Sequence, residues 1–323
     1  MSLQLFMIIF VTAGIAFLAY YMIRHSRAHG RITKDYRNRA KILQAIKTAK
    51  AAVERDPKDA VAHFYLGRAF LADKRDEQAL REYKSASRLG VTGTEIPETE
   101  FRETIADLYA RFNEPNEALK EYILLIKRHP ENPEYYFLAG KLFSTRNRPD
   151  LCEQYLRKAV SLNPKEERFR FELGMRYFLS KKMKEAANEF ENVLKINPAH
   201  GEALFYMGKI SKNLKDYTGA IEYLEKAAND WDNKLRALVE IGTSYMSLKM
   251  FDKAIAELER AVNVITEEND NESLHARYFL AMCYELEKGF PKAVAQWEII
   301  YERKKNFKDV GEKLTQYIEY KNA

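Results

Sequence analysis

The sequence predicts an all-α protein, a solenoid of helix-turn-helix repeats preceded by one transmembrane helix. Three observations predict this fold: a small residue recurs at a constant spacing, residues 1–23 carry no charged side chain, and the composition favours helices. Of the 323 residues, 46% are hydrophobic and 31% charged, with only 13 glycines and 9 prolines. Such a chain can bury a core but is poor in turn-forming residues, which disfavours a disordered chain and a β-sandwich.

Residues 3–23 are the first predicted element, a membrane-spanning helix. The run LQLFMIIFVTAGIAFLAYYMI contains no Asp, Glu, Lys, Arg or His. At about 1.5 Å per residue, a helix of this length matches a hydrocarbon core of about 30 Å. The run has neither the basic start nor the small-residue cleavage site of a signal peptide. We therefore expect a permanent anchor, which makes the membrane one partner of the chain.

Residues 24–41 form a basic segment directly after the predicted span. They contain seven basic residues and one acid, for a net charge of +6, which equals the net charge of the whole chain. The remainder is therefore neutral, and nucleic acid is not expected as a partner of the repeats. Basic residues beside a span stay on the cytoplasmic side. We expect a single-pass protein of the cell (inner) membrane, with its N-terminus outside and its repeats facing the cytoplasm.

A regular repeat organises the rest of the chain. Twelve positions after each recurring small residue stands another small residue, and four positions later a bulky apolar one. Small residues at these two places let antiparallel helices approach closely, and the bulky residue fills the space around the contact. The first small residues are Gly67, Ala106, Gly140, Gly174, Gly208, Gly242 and Ala281, at spacings of 39, 34, 34, 34, 34 and 39.

This register divides the chain into predicted segments. Seven repeats cover residues 60–307 and begin near Ala60, Thr99, Pro133, Glu167, Gly201, Leu235 and Leu274. Residues 42–57 resemble the second helix of an eighth, degenerate repeat, and residues 308–323 are predicted to form a capping helix. The longer connections near 90–97 and 266–272 are expected to be exposed.

The motif identifies a family resemblance. The matching residues are Leu66-Gly67…Phe70…Ala79…Tyr83…Ala86 and Leu173-Gly174…Tyr177…Ala186…Phe190…Pro198. They resemble the tetratricopeptide repeat, and the resemblance covers about residues 42–307. The anchored layout is similar to that of the lipopolysaccharide assembly protein B family. That family ends in a zinc module with paired C-x-x-C motifs, which the two cysteines of this chain cannot supply.

The resemblance implies a binding site on the first helix of each repeat. In this family those helices line a concave face that binds extended peptides or partner helices. The columns of this face predict a partner segment that carries apolar and acidic groups. A second interpretation is that the aromatic residues support neighbouring helices and the lysines are ordinary surface charge. The predicted partner-binding residues are Phe64, Arg68, Phe137, Lys141, Phe171, Met175, Phe205, Lys209, Lys212 and Asn213.

No motif for catalysis, a cofactor or a metal is visible. The sequence lacks a phosphate-binding loop, a G-x-S-x-G elbow and an H-E-x-x-H pair, and Cys152 falls in the small-residue column. We therefore expect a membrane-anchored adaptor or scaffold and not an enzyme. Two alternatives stay open: a regulatory accessory subunit of a membrane enzyme or protease, and a protein similar to import receptors. The oligomeric state is not predicted.

Overall fold

The computed structural model describes residues 39–266 and 271–320, and this part of the chain contains helices and turns but no strands. The predicted span at 3–23 lies outside these residues, as does most of the basic segment. No described helix is long and apolar enough to cross a bilayer. The helices are α1 (39–55), α2 (Ala60–Ala72), α3 (Asp76–Leu89), α4 (Glu98–Arg111), α5 (Pro115–Arg128), α6 (Pro133–Thr145), α7 (Pro149–Leu162), α8 (Glu167–Leu179), α9 (Met183–Ile196), α10 (Gly201–Asn213), α11 (Tyr217–Ala227), α12 (Trp231–Ser247), α13 (Phe251–Asn263), α14 (Asn271–Leu286), α15 (Phe290–Arg303) and α16 (Val310–Gln316), followed by the 3₁₀ turn η1 (Ile318–Tyr320).

The helices form two compact units that divide after Pro130. Unit 1 contains α1 and the pairs α2/α3 and α4/α5. Unit 2 contains the pairs from α6/α7 to α14/α15, followed by α16. Within each unit, the second helix of a pair packs against the first helix of the next pair, as α7 does against α8 and α11 against α12. The core therefore runs along the stack of pairs instead of lying at one centre, as expected of a solenoid.

The first small residue and the bulky residue meet at the centre of the helix pair, and in five of the seven pairs the small residue is a glycine. A Cβ atom placed on Gly67 would lie 2.7 Å from Cδ2 of Tyr83, and one on Gly242 would lie 2.5 Å from Cγ of Leu258. Side-chain carbons cannot approach this closely, so only glycine fits at these contacts. The opposing Ala254 is fully buried. The fixed spacing of the two columns in the sequence thus corresponds to a direct contact between the two helices.

A left-handed residue closes the turn between the two helices of every pair. Lys181, for example, has φ of 60° and follows α8 by two residues. Asparagine is among the residues that adopt this conformation most readily, and lysine adopts it at some cost. These residues keep the spacing of the repeat: Lys74, Asn113, Asn147, Lys181, Lys215, Lys249 and Lys288.

A polar bond across the pair recurs at a constant separation along the chain. Arg170 Nη1 donates to Glu189 Oε2 at 2.8 Å, and Arg170 Nε donates to the carbonyl oxygen of Pro164 at 2.6 Å. In the first repeat, His63 takes the place of the arginine and lies 2.6 Å from Glu82. His63 is therefore a structural residue. Corresponding bonds join Arg102 to Glu121 and Arg277 to Gln296.

Two connections differ from the expected ones. The segment at residues 90–97 is not wholly exposed, because Val91 and Ile96 are buried while Gly90 and Gly93 take up positive φ. Helix α12 starts at Trp231, four residues before the predicted start of its repeat. The Asp230 carboxylate caps this helix by accepting a hydrogen bond from the Asp232 N–H. The connection between α11 and α12 contains no proline, whereas Pro198 follows α9.

The C-terminal end of unit 2 is covered by aromatic side chains. Helix α16 packs against α15, and Val310 is fully buried there. The ring of Tyr317 stacks on Phe290 with centroids 5.1 Å apart and on Trp297 at 5.6 Å. These contacts cover the apolar face that α15 would otherwise expose to water.

Buried tyrosines make stability fall at alkaline pH. Burial raises the pKa of Tyr83 to about 12, whereas an unfolded chain releases this proton near pH ~10. The neutral phenol thus stabilises the fold below pH ~10, and this contribution is lost as the pH rises toward 12. We expect the melting temperature to fall over this range, and to fall less in Tyr83→Phe, which keeps the ring. The exposed Tyr65→Phe serves as the control. An equal fall in wild type and Tyr83→Phe would contradict the assignment.

Candidate partner-binding face

The structure buries three of the predicted aromatic residues. Phe64, Phe137 and Phe205 are 0%, 5% and 4% exposed. Phe64 packs beside Tyr83 within unit 1, and Phe137 lies 4.8 Å from Phe169, measured between ring centroids, within unit 2. The prediction that these three rings line an open strip is wrong, because each is enclosed between helices. Their role is the alternative one, to support neighbouring helices.

Phe171 and Met175 on α8 stay partly accessible. The ring of Phe171 stacks on His200 with centroids 4.9 Å apart and approaches Phe190 at 5.7 Å. One face of this ring is therefore covered by His200 at the start of the following repeat. A partner-binding role for these two residues stays a prediction.

The predicted cations belong to a repeated pattern of ion pairs. Lys141 Nζ lies 5.6 Å from the centroid of the Phe137 ring and 3.4 Å from Glu172 Oε1 on the next first helix. Such pairs between partly exposed groups are weak and salt-sensitive, so the cations can exchange partners. The same two contacts are made by Arg68 with Phe64 and Glu100 and by Lys209 with Phe205 and Glu240.

Lys212 is held more firmly than the other cations. Its Nζ donates to Glu240 Oε2 and to Thr243 Oγ1, both at 2.5 Å. Glu240 also faces Lys209 at 3.7 Å. Two lysines thus share one carboxylate, which leaves a net positive charge between α10 and α12. Asn213 ends α10 beside them and is exposed.

A depression of about 350 Å³ lies beside Lys212 on the first helices of unit 2. Val239, Met246 and Phe279 supply its apolar surface. The close contact of Gly242 with Leu258 fixes α12 against α13 and so sets the position of Val239 and Met246. The remaining lining residues are Glu240, Thr243 and Ser247.

Met246 and Phe279 were missed by the sequence-based prediction. Met246 occupies the same repeat position as Lys212, one repeat period later, so extending that column to the next repeat would have found it. Phe279 is found only from the structure, because it lies at a repeat position that the predicted binding residues do not include. Lys308 Nζ also lies 4.6 Å from the centroid of the Phe279 ring, and burial lowers the pKa of this lysine.

The two thiols have the environment of packing residues. Burial raises the pKa of Cys152, and it raises the pKa of Cys283 to about 12. A thiol in this state holds its proton at neutral pH and is a poor nucleophile. Within residues 39–266 and 271–320, no three His, Cys, Asp or Glu side chains group in a way that could hold a metal ion.

Comparisons with known proteins agree with the repeat. Models of the tetratricopeptide repeat match residues 34–90, 133–166, 171–234 and 235–265. Among curated proteins, the chain is similar to anaphase-promoting complex subunit 3 of Schizosaccharomyces pombe, with 24% identity over 178 residues. That alignment covers 55% of this chain but spans only 27% of the subunit.

Two solved structures share the fold. A tetratricopeptide repeat protein from Parabacteroides merdae superposes with a TM-score of 0.54 and 13% identity, covering 85% of this chain and 99% of its own. The C-terminal part of a repeat protein from Cytophaga hutchinsonii gives a TM-score of 0.51 and 16% identity, covering 87% and 97%. Because models of the repeat match more than half of the chain, and the structure contains the helix pairs and their glycine contacts, this chain belongs to the tetratricopeptide repeat family.

Proposed function

We propose that this chain is a non-catalytic scaffold that binds a partner polypeptide through the depression between α10, α12 and α14. One observation carries the proposal. The apolar side chains of Val239, Met246 and Phe279 lie beside a lysine, Lys212, and all four residues are on first helices of their repeats. An apolar pocket flanked by a few polar groups is the usual form of a specific peptide site.

The charges around the depression suggest the chemistry of the partner. Lys209 and Lys212 share the single carboxylate of Glu240, and Lys308 lies over the ring of Phe279. A partner segment with one apolar anchor and one or two acidic groups would neutralise this excess charge. Complementary charge of this kind raises the association rate and selects against basic segments.

Affinity purification from native membranes tests this proposal. We expect Phe279→Ala and Lys212→Met to reduce recovery of the partner to about a tenth, because each removes one half of the recognition. Tyr301→Ala and Lys226→Met, which alter second helices of the same unit, serve as matched controls and should retain full recovery. Full recovery with both pocket variants would overturn the proposal.

We further propose that residues 3–23 anchor the scaffold in a membrane with the repeats on the cytoplasmic side. The support is the uncharged run over these positions and the basic segment that follows it. The protein should stay in the membrane pellet after alkaline carbonate extraction, and protease added to intact cells should leave the repeats uncut. Release by carbonate would contradict the anchor, and digestion of the repeats would contradict the orientation.

A dedicated subunit of a larger assembly is the second candidate. It is supported by the similarity to a protein named as a complex subunit. Crosslinking in membranes separates the two roles: a scaffold yields several partners, whereas a dedicated subunit yields one partner at a constant ratio.

A further inference from the structure

Within residues 39–266 and 271–320, α1 has no first helix of its own repeat to pack against, whereas every other second helix has one. It aligns with α3 at an offset of one repeat period, so Ala45 corresponds to Ala79 and Ala49 to Tyr83. Ala45 is exposed, whereas the small residues at the equivalent place of the seven complete repeats are all buried. The buried equivalents are Ala79, Ala118, Cys152, Ala186, Ala220, Ala254 and Ala293.

The uncovered face forms an apolar groove of about 650 Å³ between α1 and α2. On the α2 side, Ala62 and Ala69 occupy the positions of Phe101 and Leu108 in α4. In α4, the Phe101 position contacts the preceding first helix, since the ring centroids of Phe101 and Phe64 lie 6.2 Å apart. The groove is thus the place of a first helix. Its lining includes Ala45, Thr48, Ala49, Ala52, Val61 and Tyr65.

The groove is wider than the corresponding site in a complete repeat. A complete repeat places a bulky residue against a glycine, as Tyr83 against Gly67. In the groove the bulky residue is replaced by Ala49. An occupying helix would therefore need bulky apolar side chains to reach native packing density.

The rim of the groove is basic. Lys41 lies one helical turn before Ala45 and is exposed, and Arg68 lines the groove from α2. The one carboxylate of the lining, Asp59, is engaged at the start of α2, where it accepts from the N–H groups of Val61 and Ala62. An acidic helix would meet complementary charge on this rim.

Helix α1 is already helical at residue 40, where the seven complete repeats turn at a left-handed residue. A left-handed turn is thus absent at residue 40. Residues 24–38 carry five Lys or Arg side chains and one acidic one in the sequence, so they complement a basic rim less well than an acidic helix would. We propose that this groove binds an amphipathic helix of a partner protein, one with a bulky apolar stripe flanked by acidic residues.

A synthetic helix tests the proposal with the full chain. The probe is a fluorescein-labelled peptide of about 16 residues with leucines at i, i+3, i+4 and i+7 and glutamates beside them. A matched peptide carries lysines in place of the glutamates. We expect the acidic peptide to bind about tenfold more tightly than the basic one, as measured by fluorescence anisotropy. Equal binding of the two peptides would overturn the proposed chemistry.

Two tryptophan variants locate the binding. Ala45→Trp fills the groove and should weaken binding about tenfold, whereas Ala51→Trp, on another face of α1, should leave it unchanged. Both positions are exposed, so both variants should keep the wild-type circular dichroism and melting temperature. Equal affinities of the two variants would overturn the site. An absence of peptide binding to the full chain would also overturn the proposal. If removal of residues 1–38 then restored binding, the chain's own residues would be the occupant of the groove.

Discussion

Replacing Arg102 with alanine is expected to lower the free energy of unfolding by about 3–5 kcal/mol. Arg102 Nε and Nη2 donate to Glu98 Oε1 at 2.9 and 2.7 Å, and Nη1 donates to Glu121 Oε2 at 2.6 Å. All three side chains are at most 15% exposed. Burial alone would lower the pKa of Arg102, but these hydrogen bonds raise this pKa above its ordinary value. Alanine would remove the ion pair of the enclosed Glu121, while Glu98 would keep only its pair with Arg128 at 2.7 Å.

Chemical denaturation of matched variants measures this effect. Arg111→Ala is the control, because Arg111 also pairs with two carboxylates but has a half-exposed side chain, and it should cost less than about 1 kcal/mol. Adding Glu98→Gln and Glu121→Gln to Arg102→Met should recover much of the loss, since no buried charge then lacks its partner. A loss in Arg102→Ala no larger than in Arg111→Ala would contradict this account of the α4/α5 pair.

Gly242→Val is expected to lower the free energy of unfolding of unit 2 by about 3 kcal/mol. The added Cβ would lie 2.5 Å from Cγ of Leu258, whose side chain is fully buried and can move away only by repacking the core around it or by shifting α13. Gly311→Val is the matched control. A Cβ on Gly311 would meet only Tyr301, at 3.6 Å, an ordinary contact.

A second substitution tests whether the clash with Leu258 is the cause. Leu258→Ala alone should cost about 2–5 kcal/mol because it leaves a cavity. Combined with Gly242→Val, the valine would occupy part of that cavity, so the double variant should lose less stability than the two single losses together. Additive losses would show that the two residues do not oppose each other.

The repeat register was accessible from sequence because each pair depends on a few side chains at fixed distances. Gly242, Ala254 and Leu258 belong to columns that recur with the period of the repeat, and packing two helices closely requires them. The connections were less accessible. The early start of α12 depends on the capping carboxylate of Asp230, and the burial of Val91 depends on how a single longer connection folds over its neighbours.

The binding face was only partly accessible from sequence. Repeat position identifies the helix face on which a residue lies, and this placed Lys209 and Lys212 correctly on a first helix. It does not show how deeply a ring is enclosed, since Phe205 is buried and Phe279 is partly open at neighbouring positions of the same face. Exposure at such positions depends on side chains of the adjacent repeat, such as Arg236, whose guanidinium lies 4.7 Å from the centroid of the Phe205 ring.

Hydrogen–deuterium exchange of the full chain with its purified partner tests the central claim most directly. If the partner binds the first helices of unit 2, added partner should slow amide exchange in α10, α12 and α14. Exchange in the second helices α11, α13 and α15 should change much less, because their exposed faces lie away from the depression. Protection confined to the second helices, or no protection in unit 2, would contradict a binding site at Lys212, Met246 and Phe279.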